Sequence, residues 1–394
     1  MRLLSSKFLG SLIERPYSLS AYIVCNVYTI SSIHELIVQI KYNIECTFWR
    51  MYTCHIRARK HVFSGKRYGK FTIMKSKKAI MGLAALLIVI FHFYIPLNGN
   101  AVEIFISKTA YIGVDLFFLV SAASLSKREK IEYGSFLRNR LLAVYVPFVF
   151  FAIVCAFFQK WKILTFLKVI VGISFFERGG GSFLWFLFAI MLFYLLVPGL
   201  LFFKRRLGWL AFALMLLVWI GLAALLQYGF EYTSVFILWN RLPIFLLGLY
   251  YEMIVELLAR HLKVKWIYLP GLVLLFCIGL VLLYLFWMKT RLQIPFADMY
   301  YILAIPMVTA IAGFSELGYR RTCMRLRVLE WIGNISLEIY GLQMIFGYDL
   351  ESLLLKKTQN GFAAFAGTTT VLVLFAYLLH WLKKIIKRRV RGKI

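Results

Sequence analysis

Three ionisable side chains stand inside long apolar runs, and their types are those of acid–base chemistry: His92 in GLAALLIVIFH, Asp115 in GVDLFFLVSA and Arg241 in RLPIFLLG. A titratable group set among Leu, Ile, Val and Phe costs free energy to bury, so each marks a functional site unless a neighbouring helix satisfies it. Glu338 lies in another apolar run, and Asp298 and His380 lie near the ends of others. Imidazole beside carboxylate is the pair that general-base catalysis uses. Asp115 would fix the tautomer of His92 and stabilise its protonated form while the ring draws a proton from a hydroxyl. Arg241 would then balance Asp115 or hold an anionic group. The competing reading is an Asp115–Arg241 ion pair that only joins helices, and spacing leaves both open.

The elements that must position these groups are membrane helices. Of 394 residues, 62% are hydrophobic and 16% charged, with a mean hydropathy of +0.78, which is too apolar for a soluble core. Ten apolar segments are long enough to cross roughly 30 Å of hydrocarbon. They lie near 79–97, 109–125, 141–159, 183–203, 207–227, 236–257, 266–288, 296–314, 328–348 and 361–382; the shorter run 163–176 reads as interfacial. The expected fold is thus an all-α, polytopic bundle of about ten transmembrane helices.

Charge supplies the orientation. The formal net charge is +29, but the basic residues cluster between apolar runs: Lys75 to Lys78, Lys127 to Arg140, Lys204 to Arg206, Arg260 to Lys265, Arg320 to Arg327 and Lys383 to Lys393. Every second loop is basic, which is positive-inside topology with both termini cytoplasmic rather than the footprint of a nucleic-acid partner. In that scheme His92, Asp115 and Arg241 each lie roughly 7 to 9 Å below the outer surface, at 1.5 Å per residue.

Residues 1–73 differ from the rest of the chain, mixing Cys, His, Arg and Ser with apolar patches too brief to span a bilayer. They read as an atypical extension, an over-extended upstream start or a leader, before a membrane domain over 74–394. The six cysteines show no CxxC pair or Cys/His spacing, so no disulfide framework and no metal are expected, and Cys155 and Cys277 read as small core residues. Arg138 and Arg140 in SFLRNRLLAVYVP suit bidentate contact with phosphates or ordinary contact with lipid head groups. The triple glycine 179–181 reads as a flexible outer loop, and Trp185 and Tyr194 suit an aromatic belt or a ligand pocket.

Taken in order, GLAALLIVIFH (82–92), GVDLFFLVSA (113–122), FLRNRLLAVYVPF (136–148), FLWFLFAIMLFYLLVP (183–198), RLPIFLLG (241–248) and WIGNISLEIYGLQMI (331–345) resemble the acyltransferase-3 family of integral membrane O-acyltransferases. The resemblance implies transfer of an acyl group, commonly acetyl from acetyl-coenzyme A, to a hydroxyl of a cell-envelope glycan or glycolipid in the bacterial plasma membrane. By position it makes His92 the catalytic histidine, Asp115 the acidic residue of the second span and Arg140 the first basic residue of the third-span motif, with Trp185 and Arg241 at characteristic later positions. Donor phosphates would be held by Arg138 and Arg140, and Arg241 and Tyr340 are candidate oxyanion stabilisers.

Three departures stand out. Met81 occupies the place of an arginine eleven residues before the histidine, Ala143 that of the second third-span arginine, and Gln343 that of a ninth-span histidine. Lys77 and Lys78 lie less than a turn from the face of Met81 and would snorkel to the same donor phosphates. The alternatives to an enzyme are an envelope-glycan transporter, against which there is no inverted repeat, and a catalytically silent relative.

Overall fold

The computed structural model describes residues 76–92, 101–126, 132–261, 268–289, 300–321 and 326–390. The extension 1–73 and Asp298 lie outside the described residues. Among those described there is no strand, as hydrocarbon demands: without water, a spanning segment satisfies its backbone N–H and C=O groups within itself, by helix.

Seven helical stretches are long and apolar enough to cross a membrane: Ala101–Ala123, Tyr133–Phe158, Trp185–Leu207, Trp209–Gly229, Tyr268–Phe286, Tyr300–Tyr319 and Gly361–Ile385. The count among the described residues is seven. The expected first, sixth and ninth spans are not among these seven. Of the first run, the described residues form helix α1, Lys77–His92, of 16 residues. The sixth run divides at Asn240 and Arg241 into Phe236–Trp239 and Leu242–His261. The ninth divides at Ile335 into Arg327–Asn334 and a continuous helical stretch that begins at Ser336 and ends at Thr358.

Four elements that carry candidate site residues are labelled α1 (Lys77–His92), α2 (Ile112–Ala123), α3 (Leu242–His261) and α4 (Ser336–Leu342). Eleven of the twelve α2 residues are buried. The short helix Arg327–Asn334 crosses α1 where Gly82 meets Gly333. A Cβ on Gly82 would overlap the Leu329 carbonyl, and one on Gly333 would overlap the Lys78 carbonyl, so only glycine allows this approach. Gly113 likewise brings α2 close to α1, against Ala84 and Ile88.

Two peripheral expectations change. Cys155 is buried, but Cys277 is exposed, because its helix, Tyr268–Lys289, presents most of its surface outward. The triple glycine is not a free loop: Gly179–Gly181 forms a 3-10 turn. Gly179, at φ +54°, lies where a Cβ would strike the Ser234 carbonyl, and the Ser234 hydroxyl donates to the carbonyl of Glu177.

Candidate active site

His92 is the last described residue of α1, and its side chain is exposed. Its Nδ1 lies 2.9 Å from the carbonyl oxygen of Ile88, one turn back. A carbonyl only accepts, so Nδ1 carries the hydrogen, and in the neutral ring Nε2 keeps the lone pair. The ring also stands edge-on to Phe91, with centroids 5.3 Å apart. The group that sets the tautomer is thus a backbone carbonyl of the same helix.

Asp115 is turned elsewhere. Helix α2 meets α1 through Gly113, and Asp115 follows two residues later, about 200° around the helix at 100° per residue. That places it on the face that also carries Leu119 and Ala122, which pack on Gly248 of α3. There Asp115 Oδ1 is 3.0 Å from Arg241 Nε, and both side chains are 1% exposed. Arg241 Nη1 donates to the Ile237 carbonyl. The guanidinium lies 3.6 Å from the ring centroid of Tyr301 and 5.0 Å from that of Trp185. Planar and permanently charged, Arg241 is paired with Asp115 and lies over two rings.

A network of tyrosines surrounds this pair. Tyr111, 3% exposed, donates to the carbonyl of Tyr300 over 3.1 Å, and the Tyr300 hydroxyl donates to that of Tyr301 over 2.7 Å. Phe91, beside His92, meets Tyr111 edge-on at 6.5 Å. His92 and the Asp115–Arg241 pair therefore touch opposite ends of one aromatic cluster. Reasoning from sequence missed Tyr111, Tyr300 and Tyr301; the available signal was three tyrosines at the ends of two apolar runs that also bear the charged residues.

The second group of candidates gathers at the other end of α1. Lys77 is half-buried and Lys78 exposed. Burial lowers the affinity of Lys77 for its proton, and the charge of Arg140, then that of Lys78, lowers it further. Arg140 lies over the ring of Tyr194, 4.8 Å from its centroid, and 5.4 Å from that of Phe136. Arg138 is exposed, and Met81 is half-buried on α1. Ala143 sits, exposed, in the π-helical turn Leu141–Tyr145 that directly follows Arg140. The structure thus brings Lys77 together with Arg140, two cations with mutual repulsion.

Trp185 belongs to the Arg241 cage, while Tyr340 is 6% exposed and meets Phe186 edge-on at 5.8 Å. Gln343 opens the π-helical turn Gln343–Gly347 and is 3% exposed. Glu338, on α4, pairs with His380 at 3.3 Å and Lys383 at 3.5 Å, both on the final helix. Lys204, read in sequence as a topology charge, is turned inward. Its Nζ donates to the carbonyls of Ser126 and Leu249, over 3.2 and 2.6 Å.

A multi-pass helical membrane protein with an oriented imidazole, a caged ion pair and a group of mutually repelling cations is the class that fold and site define. A family model described as an acyltransferase domain matches residues 79–381, and the chain belongs to this family, acyltransferase-3. No curated protein and no solved structure matches the chain.

Proposed function

We propose that the protein is an O-acyltransferase that moves an acyl group, acetyl by the family resemblance, from acyl-coenzyme A on the cytoplasmic side of the bacterial plasma membrane to a hydroxyl of an extracytoplasmic cell-envelope glycan or glycolipid. The observation that carries this reading is the His92 ring. Its Nδ1–H is held by the Ile88 carbonyl, which leaves Nε2 as a base on an exposed side chain at the end of α1.

Lys77 and Arg140, with Lys78 and Arg138 nearby, suit the donor's phosphates, since an anion relieves the repulsion between two cations held close. Lys77 and His92 are 15 residues apart on one helix, about 22 Å at 1.5 Å per residue, so the donor's arm must run the length of α1. His92 Nε2 takes the proton from the acceptor hydroxyl as its oxygen bonds to the thioester carbonyl carbon. The carbon–sulfur bond then breaks, and the imidazolium returns the proton to the departing sulfur. Asp115 and Arg241 act as positioning residues: their ion pair and the tyrosines it anchors fix α2 and α3 beside α1, and Trp185 closes that cage.

The test is transfer of label from acetyl-coenzyme A to an envelope fraction by membranes carrying the wild type or His92→Ala. General-base loss predicts a fall of about 10²- to 10⁴-fold with an unchanged melting temperature. Equal label from both proteins would overturn the mechanism.

A further inference from the structure

The first turn of α1 carries both lysines of the proposed donor site, and helix ends fray unless something outside them holds the chain. Here the residue before Lys77 is held. Ser76 is buried, and its carbonyl accepts from the Ile80 N–H over 2.9 Å, which opens the helix. The Ser76 N–H and hydroxyl both donate to Oε2 of Glu316, over 3.3 and 2.6 Å. Glu316 is 5% exposed and lies in the last turns of the helix Ile305–Arg321.

Three observations mark this carboxylate as more than a packing contact. Its charge stands at the N-terminus of α1, where the helix dipole favours an anion. It is also kept from Lys77: burial, Arg140 and Lys78 set the proton affinity of that lysine, and no carboxylate is among the causes. A carboxylate paired with Lys77 would neutralise the charge that a phosphate needs, whereas one bound to Ser76 holds the backbone and leaves the cations their charge. The surroundings, finally, admit no substitute. Leu119 and Ala123 of α2, Tyr251 of α3 and Ala312 close around the pair and leave about 10 Å³, room for at most one water. Gly333 meets the carbonyl of Lys78 in the same turn, so the backbone that bears the two lysines is fixed at Ser76 and again at Lys78.

We infer that Glu316 is a positioning residue for the acyl donor: its grip on Ser76 fixes where Lys77 and Lys78 present their charges to the donor's phosphates. This rests on the acyl-transfer reading above and adds to it a residue that touches neither donor nor acceptor. A charge-assisted hydrogen bond holds at about 2.7–2.9 Å, so a shift of about 1 Å at the start of α1 loses it. The loss falls on donor binding rather than on proton transfer at His92, about 22 Å along the helix.

The test is transfer of label from acetyl-coenzyme A, with donor KM and kcat measured separately. It compares the wild type with Glu316→Leu, Glu316→Gln, Ser76→Ala and the double variant Glu316→Leu with Ser76→Ala, each with its melting curve in detergent. Leucine fills the carboxylate's space without an acceptor and should raise donor KM about tenfold, the worth of one hydrogen bond to a charged group, with kcat in place. Glutamine keeps an acceptor oxygen for Ser76 and should restore most of the loss. Ser76→Ala removes the hydroxyl but keeps the N–H, so KM should rise about threefold. Because Glu316 acts through Ser76, the double variant should bind donor no worse than Glu316→Leu alone. A Glu316→Leu protein that melts lower with an unchanged donor KM overturns the inference and leaves Glu316 a packing residue. So does a fall in kcat at unchanged KM, or a double variant in which the two single effects multiply. If Glu316→Leu does not fold, Ser76→Ala decides, and a wild-type KM there overturns the inference. Absence of transfer by the wild type overturns the acyl-transfer reading itself, and this inference with it.

Discussion

The molecule holds two cationic centres built in opposite ways. Arg241 is closed off: it is 1% exposed, paired with Asp115, bonded to a backbone carbonyl and stacked on two aromatic rings. At the base of α1, burial first, and then the charges of Arg140 and Lys78, depress the proton affinity of Lys77. Sequence shows basic residues in both places and does not distinguish them. The difference lies in what neutralises each charge. A cation whose partners are protein groups stabilises helix packing, whereas under the proposed function the repelling cations receive their counter-charge from the donor's phosphates.

The sharpest way to break this comparison is to remove one member of the closed pair. Arg241→Ala or Asp115→Ala leaves an uncompensated buried charge, a loss of about 3–5 kcal/mol. The expected result is a sharply lower melting temperature in detergent or no monodisperse protein. Replacing both with apolar residues, Asp115→Leu with Arg241→Met, should recover most of the stability. An Arg241→Ala protein that melts like the wild type but no longer transfers label would show instead that Arg241 serves the substrate directly.

Next in size is the crossing that sets the depth of α1. Gly333→Ala drives a methyl group into the Lys78 carbonyl, and the overpacking costs about 1–3 kcal/mol. Donor KM should rise along with the instability, because the backbone displaced is that of Lys78 itself. A Gly333→Ala protein with wild-type melting and KM would mean that α1 tolerates displacement there.

The open centre should respond in the reverse sense. Lys77→Ala and Arg140→Ala are each expected to raise KM for the donor about tenfold, the worth of one charge-assisted hydrogen bond of about 1.5 kcal/mol, with melting unchanged or slightly raised as repulsion is relieved. Destabilisation without a KM effect would place these residues with Arg241.

The smallest expected effect is in pH. The folded protein lowers the proton affinity of Lys77 below that of an ordinary lysine, first by burial and then through Arg140 and Lys78. Its charge therefore opposes folding at neutral pH, and this opposition fades as pH rises through the lowered value. Donor binding favours the charged form and runs the other way, strongest below that value and weakening above it. Donor affinity should thus begin to fall at a pH short of an ordinary lysine's titration range, and Lys77→Arg should remove that fall. An identical pH profile in the two proteins would remove Lys77 from the donor site.

Much of the fold was legible in the chain. Apolar length and basic clustering made it a helical membrane protein, because hydrocarbon permits few other backbones, and the six ordered stretches pointed to the family that the comparison with residues 79–381 establishes. Two of the expected spans, those carrying Arg241 and Tyr340, are interrupted in the structure. A summed hydropathy does not see a break at Asn240 or Ile335, where backbone geometry rather than composition ends the helix.

What the sequence by itself determined was which residues are chemically able: an imidazole at the end of an apolar helix, a carboxylate and a guanidinium at the same depth, and lysines near the place where an arginine is missing. Their pairing was decided only in three dimensions. Depth follows from counting residues along a helix, but facing depends on rotation about the axis, and Gly113 fixes that rotation by presenting the bare side of α2 to α1. Asp115 is thereby turned to Arg241, and the orientation of His92 falls to the carbonyl of Ile88.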